Sequence, residues 1–271
     1  MQKFIQFILK LIKKIQKDRI FSLANELTYK LILAIFPFIT FLMTLLGFFN
    51  IKIDRLITEA AGLLPPQLVG ILETFLTEVL NQQHISLLSI SLIVSIYSAS
   101  SGFKAVINGI NHAYEQKETR GFVKIRLISL GLVFLFALSI ISSLILLIYG
   151  DFIISIISSH HYFSENYLMH LLNSLKFIAA IFILLVTVTL IYKFTCSKKV
   201  SFKNIIPGSI FTVALWVISS KAYSIYVESF ANYSKVYGSI GNIFILLIWL
   251  NIISLCLLIG GEINAILENK N

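Results

Sequence analysis

The chain has 271 residues, of which 57% are hydrophobic and 13% are charged, and its mean hydropathy is +0.88. Soluble globular domains carry about 25% charged residues, so this composition excludes that class and predicts an all-α, multi-pass membrane protein with a single domain over residues 1–271. The net charge of +9 would suggest a nucleic-acid partner in a soluble protein, so its distribution along the chain decides what it means.

The first predicted element is an amphipathic helix over residues 3–20. Apolar residues recur at helical spacing from Phe4 to Ile15, and lysines are expected on the opposite side. A basic amphipathic helix of this kind is typical of a segment that lies in the membrane interface and is attracted to anionic headgroups. A secretory signal peptide is the competing interpretation, but a lysine-free apolar region and a small-residue cleavage site are both missing. The expected polar side comprises Lys3, Gln6, Lys10, Lys13, Lys14 and Lys17.

Six later stretches are apolar enough to cross a membrane as helices. Pro37 is an expected kink in the first, and an amphipathic segment at 52–84 is expected to lie on the far surface. A polar far-side loop is expected at 151–173. The last stretch has no acidic or basic residue between Lys235 and Glu262. The predicted spans are 29–50, 85–103, 127–149, 174–193, 204–226 and 239–264.

Lysine and arginine residues are distributed unevenly between the two sides of these spans. Seventeen lie on the side that holds both termini, and five lie on the other side. The positive-inside rule therefore places both termini in the cytoplasm. Topology accounts for the net charge of +9, and no nucleic-acid partner is needed to explain it.

Acidic and amide side chains at span ends are the first candidate functional residues, because ionisable groups near membrane depth are costly and often functional. Glu26 and Glu262 fall at the cytoplasmic ends of the first and last spans, close to Asn25 and Asn264. If these two spans pack together, the four residues would form one polar cluster with a role in transport or gating. The alternative is that each glutamate only pairs with a basic residue.

Further candidates lie in the second connection and in the last span. Arg120 and Arg126 could hold a lipid phosphate or an anionic solute, because arginine is a bidentate donor, or they could only set topology. Asn111 and Tyr114 share a helical stripe that extends span two, which favours a packing role. Asn251 should point into the bundle, either as a hydrogen-bonding residue between helices or as part of a path.

Several short motifs together resemble the YihY/BrkB family over nearly the whole chain. They are Leu27-Thr28-Tyr29 before Phe36-Pro37, Ser98-Ala99-Ser100, Asn111-x-x-Tyr114 with Arg120, Tyr237-Gly238-Ser239, Leu247-x-Trp249 and Gly260-x-Glu262-x-Asn264. Tyr29, in the first motif, is a further candidate residue. Tyr97 and Asn251 depart from the family pattern, which often has tryptophan and tyrosine there. The resemblance implies a multi-pass protein of the bacterial inner membrane.

The leading functional hypothesis is a transporter-like protein for an anionic or lipid-like substrate. No GxxxxGK[ST] motif is present, so transport would be passive or driven by a gradient. The alternative is a non-transporting factor that organises lipids or envelope partners. The expected partner is the bilayer, including anionic lipid. The sequence allows both a monomer and a homo-oligomer.

Enzymatic activity is not expected, although the resemblance carries a ribonuclease label. Metal-dependent phosphodiester cleavage needs clustered ligands in a water-accessible cleft, and the cytoplasmic acids and His112 form no ligand-spaced motif. The adjacent His160 and His161 lack further ligands. We therefore predict no catalytic residue, no metal and no cofactor.

Overall fold

The computed structural model describes residues 2–48, 85–158, 165–229 and 232–268 together with Gly70. In these residues the regular structure is entirely α-helical, with seven helices and no strand, which confirms the predicted all-α class. The external segment at 52–84, apart from Gly70, and the pair His160 and His161 lie outside the described residues. The helices are α1 (Gln2–Lys17), α2 (Ile20–Phe48), α3 (Ile85–Ala113), α4 (Phe122–Ser158), α5 (Glu165–Thr195), α6 (Phe202–Ser229) and α7 (Asn232–Glu268).

Four stretches within the described residues are long and apolar enough to cross a membrane. Each overlaps one of the last four predicted spans, and their mean hydropathy lies between 1.5 and 2.8. The predicted spans 29–50 and 85–103 fall largely on α2 and α3, and the count of six spans stays a prediction. The four stretches are Phe122–Leu146, Ser174–Thr195, Phe202–Val227 and Ile243–Glu268.

The expectation of a polar loop over 151–173 is wrong for the parts of that segment that the structure describes. Helix α4 continues to Ser158, and α5 already begins at Glu165. Hydropathy marks where the apolar character of a segment ends, whereas a helix satisfies its own backbone and can continue beyond that point. At 1.5 Å per residue, the 37 residues of α4 extend about 55 Å, well beyond a hydrocarbon core of about 30 Å.

Helix α7 is the element around which the described bundle packs. It contacts α1, α2, α3 and α6, and Tyr192 of α5 reaches its backbone. All seven residues from 260 to 266 are buried, although a helix at a protein surface buries only one face. This end of α7 is therefore enclosed on all sides by other parts of the chain.

Two glycines allow α6 and α7 to cross at close range. A Cβ atom at Gly208 would lie 2.2 Å from the carbonyl oxygen of Gly260, and a Cβ atom at Gly260 would lie 1.9 Å from Thr212 Oγ1. Small residues at such a crossing let helix backbones approach closely. The Tyr192 hydroxyl closes the contact, because it donates to the carbonyl oxygen of Leu257 at 2.6 Å and lies 2.6 Å from Thr212 Oγ1.

Replacing Gly260 with alanine should therefore destabilise the protein by about 1 to 3 kcal/mol, because the new methyl group would collide with the Thr212 and Tyr192 hydroxyls. The thermal unfolding midpoint of the detergent-solubilised protein measures the effect. Gly131→Ala is the matched control, since its Cβ would meet no atom within 4 Å and alanine favours the helix. Equal midpoints for the two variants would contradict the close crossing.

Candidate functional site

The candidate site lies where α1, the turn between α1 and α2, and the loop after α3 meet the last turns of α7. We call this region the α1 end of the bundle. Helix α1 stops at Lys17, and Arg19 adopts a positive φ of 49°, a left-handed conformation that often ends helices. This turn reverses the chain into α2 and leaves the Asp18 side chain buried beneath α1.

A cluster of charged groups centres on the Lys14 ammonium. Its Nζ atom lies 2.7 Å from Asp18 Oδ2, 3.0 Å from Glu262 Oε2 and 3.6 Å from Glu115 Oε1. The Lys14 side chain is 10% exposed, while that of Glu262 is 0% exposed. We call Lys14, Asp18, Glu115 and Glu262 the ion cluster.

The ion cluster keeps Lys14 charged. Burial by itself lowers the pKa of Lys14, but the hydrogen bond to Asp18 and the charge of Glu262 outweigh it, so the pKa of Lys14 is raised. At the rim, Lys17 Nζ donates to Glu115 Oε1 at 2.8 Å. That hydrogen bond and the charge of Lys14 hold the pKa of Glu115 below its usual value.

Glu262 has a partner for its charge but lacks good hydrogen bonds. Within the described residues, neither of its carboxylate oxygens has a hydrogen bond of acceptable geometry, and the same is true of the Tyr114 hydroxyl and Asn264 Nδ2. The Asn264 carbonyl oxygen, by contrast, accepts a bond from the Gly208 backbone N–H at 2.7 Å. Buried polar groups without hydrogen bonds are costly, so Glu262 occupies an energetically unfavourable position.

Arg120 connects the loop after α3 to the end of α5. It forms a two-pronged contact with Glu118 through Nε at 2.7 Å and Nη2 at 2.5 Å. Its guanidinium also donates to the last carbonyl oxygens of α5, those of Phe194 at 3.0 Å and Thr195 at 2.8 Å. These carbonyls lack partners inside their own helix, so Arg120 acts as a C-terminal cap of α5.

Asn111 completes this connection. Its Nδ2 donates to Glu118 Oε2 at 2.8 Å, and its Oδ1 accepts from the Ser197 backbone N–H at 2.8 Å. The hydrogen bond from Arg120 lowers the pKa of Glu118, with smaller contributions from the charge of Arg120 and from Asn111. Asn111 and Arg120 thus join α3, its following loop and the end of α5 through one carboxylate.

Arg126 and Tyr29 lie outside the ion cluster. The Arg126 guanidinium stacks over the Tyr97 ring, 3.8 Å from its centroid, and donates to the Tyr97 carbonyl oxygen at 3.0 Å. The Tyr29 side chain is largely exposed. Tyr114 is buried, and burial raises its pKa, so its hydroxyl stays neutral.

The single polar cluster expected from Asn25, Glu26, Glu262 and Asn264 does not form in the structure. Asn251 Nδ2 instead donates to Asn25 Oδ1 at 2.8 Å, and Glu26 pairs with Lys30 one turn along α2. Consecutive helical residues point about 100° apart, so Asn25 and Glu26 face different neighbours. The two glutamates consequently have separate surroundings.

Glu26 lies at a pocket between α2 and α3 with a volume of about 190 Å³. Asn108 and His112 add polar groups to its lining, and Leu23, Leu27, Ala105 and Gly109 complete it. The mixed lining could accommodate a small polar group. It is separate from the ion cluster, whose residues do not line it.

Three residues of the ion cluster, Lys14, Asp18 and Glu115, are not among the sequence-based candidates. The amphipathic pattern puts Lys14 on the polar side of α1, and the structure shows that this side chain is nearly buried there against Asp18 and Glu262. Buried acids can take the place of water around an ammonium group. A helical pattern that treats every lysine as facing solvent cannot predict this. The spacing of Lys14 and Asp18, four residues apart, is the one signal in the sequence.

A sequence profile of the family described as virulence factor BrkB matches residues 11–271. The chain belongs to this family. It is 31% identical to the ribonuclease-like protein YfkH of Bacillus subtilis over 249 residues, which cover 92% of this chain and 90% of the relative. The resemblance to the BrkB family seen in the motifs is thereby confirmed.

Other relatives of this BrkB-family protein match over shorter regions. UPF0761 membrane proteins of Pseudoalteromonas translucida and Vibrio vulnificus are 30% and 31% identical over 82 and 80 residues. These matches cover 30% of this chain and 27% and 26% of the relatives. No solved structure matches the chain. Together with the apolar helices, the family places the protein in a membrane.

The pH dependence of stability provides a test of the Glu118 contacts. A carboxylate with a lowered pKa stabilises the fold above its unfolded pKa of 4.5, and this contribution is lost as the pH falls through the lower, folded value. Glu118→Gln should therefore cost about 1 to 2 kcal/mol at neutral pH, and the difference from the parent should shrink below a pH of about 4.5. Thermal unfolding in detergent across this pH range measures it.

Glu26→Gln is the matched control, because its ion pair with Lys30 is exposed and should contribute less than about 1 kcal/mol. A Glu118→Gln penalty that is the same at low and neutral pH would show that packing, and not the charge, makes the contribution.

Proposed function

We propose that this BrkB-family protein is a transporter-like protein and that α1 closes one end of its bundle through the pair formed by Lys14 and Glu262. The observation that carries the proposal is a fully buried carboxylate, Glu262, in a helix segment apolar enough to cross a membrane. Ionisable groups in such segments face the interior of the bundle or a path through it, and they are expensive to keep there.

Stability alone is a weak explanation for this arrangement. A buried ion pair contributes little net stability compared with apolar residues of the same size, because the loss of hydration offsets the attraction between the charges. Glu262 also lacks well-formed hydrogen bonds in the described structure. A functional role in gating accounts for an unfavourably placed charge better than a packing role does.

The position of α1 suits a gate. Lys14 belongs to a short helix outside the four membrane-spanning stretches, and a turn at Asp18 and Arg19 connects that helix to α2. The pair of Lys14 and Glu262 bridges α1 and α7 at 3.0 Å. A movement of α1 about this turn would break that bridge and uncover the last turns of α7 without unfolding a spanning helix.

The proposal includes a topology and a substrate class. We place the protein in the bacterial inner membrane, with six spans, both termini in the cytoplasm and α1 in the membrane interface. The excess of lysine and arginine on the terminal side supports this orientation. Positive charge at the same side favours an anionic or lipid-like substrate, carried passively or by a gradient.

Flux across reconstituted vesicles tests the gate. The probes are inorganic phosphate and a fluorescent anionic phospholipid. Lys14→Ala should raise the flux of one of these probes severalfold above the parent, because the link between α1 and α7 is lost. Lys13→Ala is the matched control, since Lys13 is exposed and adjacent, and its flux should equal that of the parent. Flux equal to that of protein-free vesicles for both the parent and Lys14→Ala would overturn the transport proposal.

A non-transporting factor that organises lipids is the second candidate, and the surface of α1 favours it. Ile5, Ile8, Leu9 and Ile12 are 38 to 54% exposed on a helix that also carries exposed lysines. Such a helix can bind an anionic membrane surface without any path through the protein. Absence of flux in the vesicle experiment, together with anionic lipid retained by the parent and lost from a Lys10→Glu, Lys13→Glu variant, would favour this candidate.

We propose no nuclease activity, although one relative is named ribonuclease-like. The acidic side chains described at the α1 end each lie within ion-pair distance of a lysine or arginine, which leaves them poorly suited to hold a catalytic metal. These acids are Asp18, Glu26, Glu115, Glu118, Glu262 and Glu268.

A further inference from the structure

The buried part of the ion cluster carries one negative charge too many. Asp18 and Glu262 are 7% and 0% exposed, and in the described part of the chain Lys14 is the one cation within ion-pair distance of both. Glu115 lies nearer the surface and has its own cation, Lys17, at 2.8 Å. Two carboxylates that share one ammonium leave a net charge of −1 in a region shielded from water.

The other groups around Glu262 in the described structure do not supply the missing positive charge. After α3, Tyr114 is neutral because burial raises its pKa, and burial likewise raises the pKa of the Cys196 thiol, which lies near Tyr114. The Tyr192 hydroxyl of α5 bonds to α7 and to Thr212 of α6. At its crossing with α7, helix α6 therefore contributes hydroxyl and backbone groups, which carry no positive charge.

A proton is the simplest species that would balance this charge. An unbalanced charge in a low-dielectric site is unfavourable, and two neighbouring carboxylates relieve this when one of them becomes protonated. Glu262 is the better acceptor, because Asp18 already receives a 2.7 Å hydrogen bond from Lys14, whereas Glu262 has no well-formed hydrogen bond. The two carboxylates are close neighbours, because Asp18 Oδ2 lies 2.7 Å and Glu262 Oε2 lies 3.0 Å from the same nitrogen of Lys14.

We propose that Glu262, paired with Asp18, is a proton-binding site and that the ion cluster is a proton-dependent latch between α1 and α7. A proton from solution binds one carboxylate oxygen of Glu262, and no other bond is made or broken covalently. Lys14 and Asp18 then form a neutral pair, both within the α1 region. The ionic attraction that holds α1 to α7 is lost, so proton uptake favours release of α1.

The connection to transport rests on the proposed function, but proton uptake can be measured without any substrate. Infrared titration of the protein in lipid vesicles detects the carbonyl band of a protonated carboxylic acid. In the parent, this band should grow as the pH falls from about 8 to about 5, above the range in which exposed carboxylates titrate. It should be missing from Glu262→Gln, and in Asp18→Asn it should appear only at lower pH, because the second negative charge is gone.

Glu115→Gln is the matched control, since this rim carboxylate has its own lysine, and the band should be unchanged in it. A parent band that appears only below a pH of about 5, or an equal band in Glu262→Gln, would overturn the proton site. Asp18→Asn provides an independent test if Glu262→Gln fails to fold. Proton uptake without flux would leave this inference standing and remove the transport proposal, whereas flux without proton uptake would do the reverse.

Movement of α1 is the second readout. Spin labels at the exposed positions Gln16 of α1 and Lys199 of the loop after α5, in a chain with both native cysteines replaced by serine, report the distance between them. The distance distribution should lengthen or broaden over the same pH range as the infrared band. In Glu262→Gln it should have the low-pH form at every pH. A distribution that stays the same from about pH 8 to about pH 5 would contradict the latch.

Discussion

The close crossing of α6 and α7 at Gly208 and Gly260 determines the position of the polar groups at the α1 end. Because the two backbones nearly touch, the residues that follow Gly260 are pressed into the centre of the bundle, where every side chain from 260 to 266 is buried. Glu262 therefore cannot reach water along its own helix. The hydroxyls of Tyr192 and Thr212 and the amide oxygen of Asn264 form hydrogen bonds that hold this crossing together. The Glu262 carboxylate has no part in these bonds and depends on a lysine supplied from α1.

Two kinds of polar group result from this constraint. Those of Asn111, Glu118 and Arg120 satisfy one another and the open end of α5, so they form a well-bonded structural joint between loop and helix. The ion cluster differs, because its charges do not balance and one of its acids lacks good hydrogen bonds. A satisfied network makes a structure rigid, whereas an unsatisfied buried charge marks a place where a small change in charge can alter the preferred arrangement.

Most of the sequence-based candidates belong to the well-bonded kind of polar group. Arg120 and Arg126 have the chemistry of phosphate-binding residues, yet each donates to backbone carbonyls of this chain, and Glu26 pairs with Lys30 of its own helix. Asn251 hydrogen-bonds across to α2, one of the two roles expected for it. Glu26 does not group with Glu262. Asn25 and Glu26 are consecutive in α2, so their side chains point in different directions, and of the two it is Asn25 that bonds to α7.

Properties that are sums over many residues can be predicted from the sequence alone. Membrane residence and helical class follow from average hydropathy, and family membership follows from several short motifs whose order spans the chain. The partner of each buried charge, by contrast, depends on the geometry of a turn, as at Arg19, and on how closely two helices approach, as at Gly260. The four-residue spacing of Lys14 and Asp18 is visible in the sequence, but no local pattern reveals that Glu262 also lies against Lys14. The contact between Lys14 and Glu262 follows from the folded chain, because burial and ion pairing here join residues that are distant in the sequence.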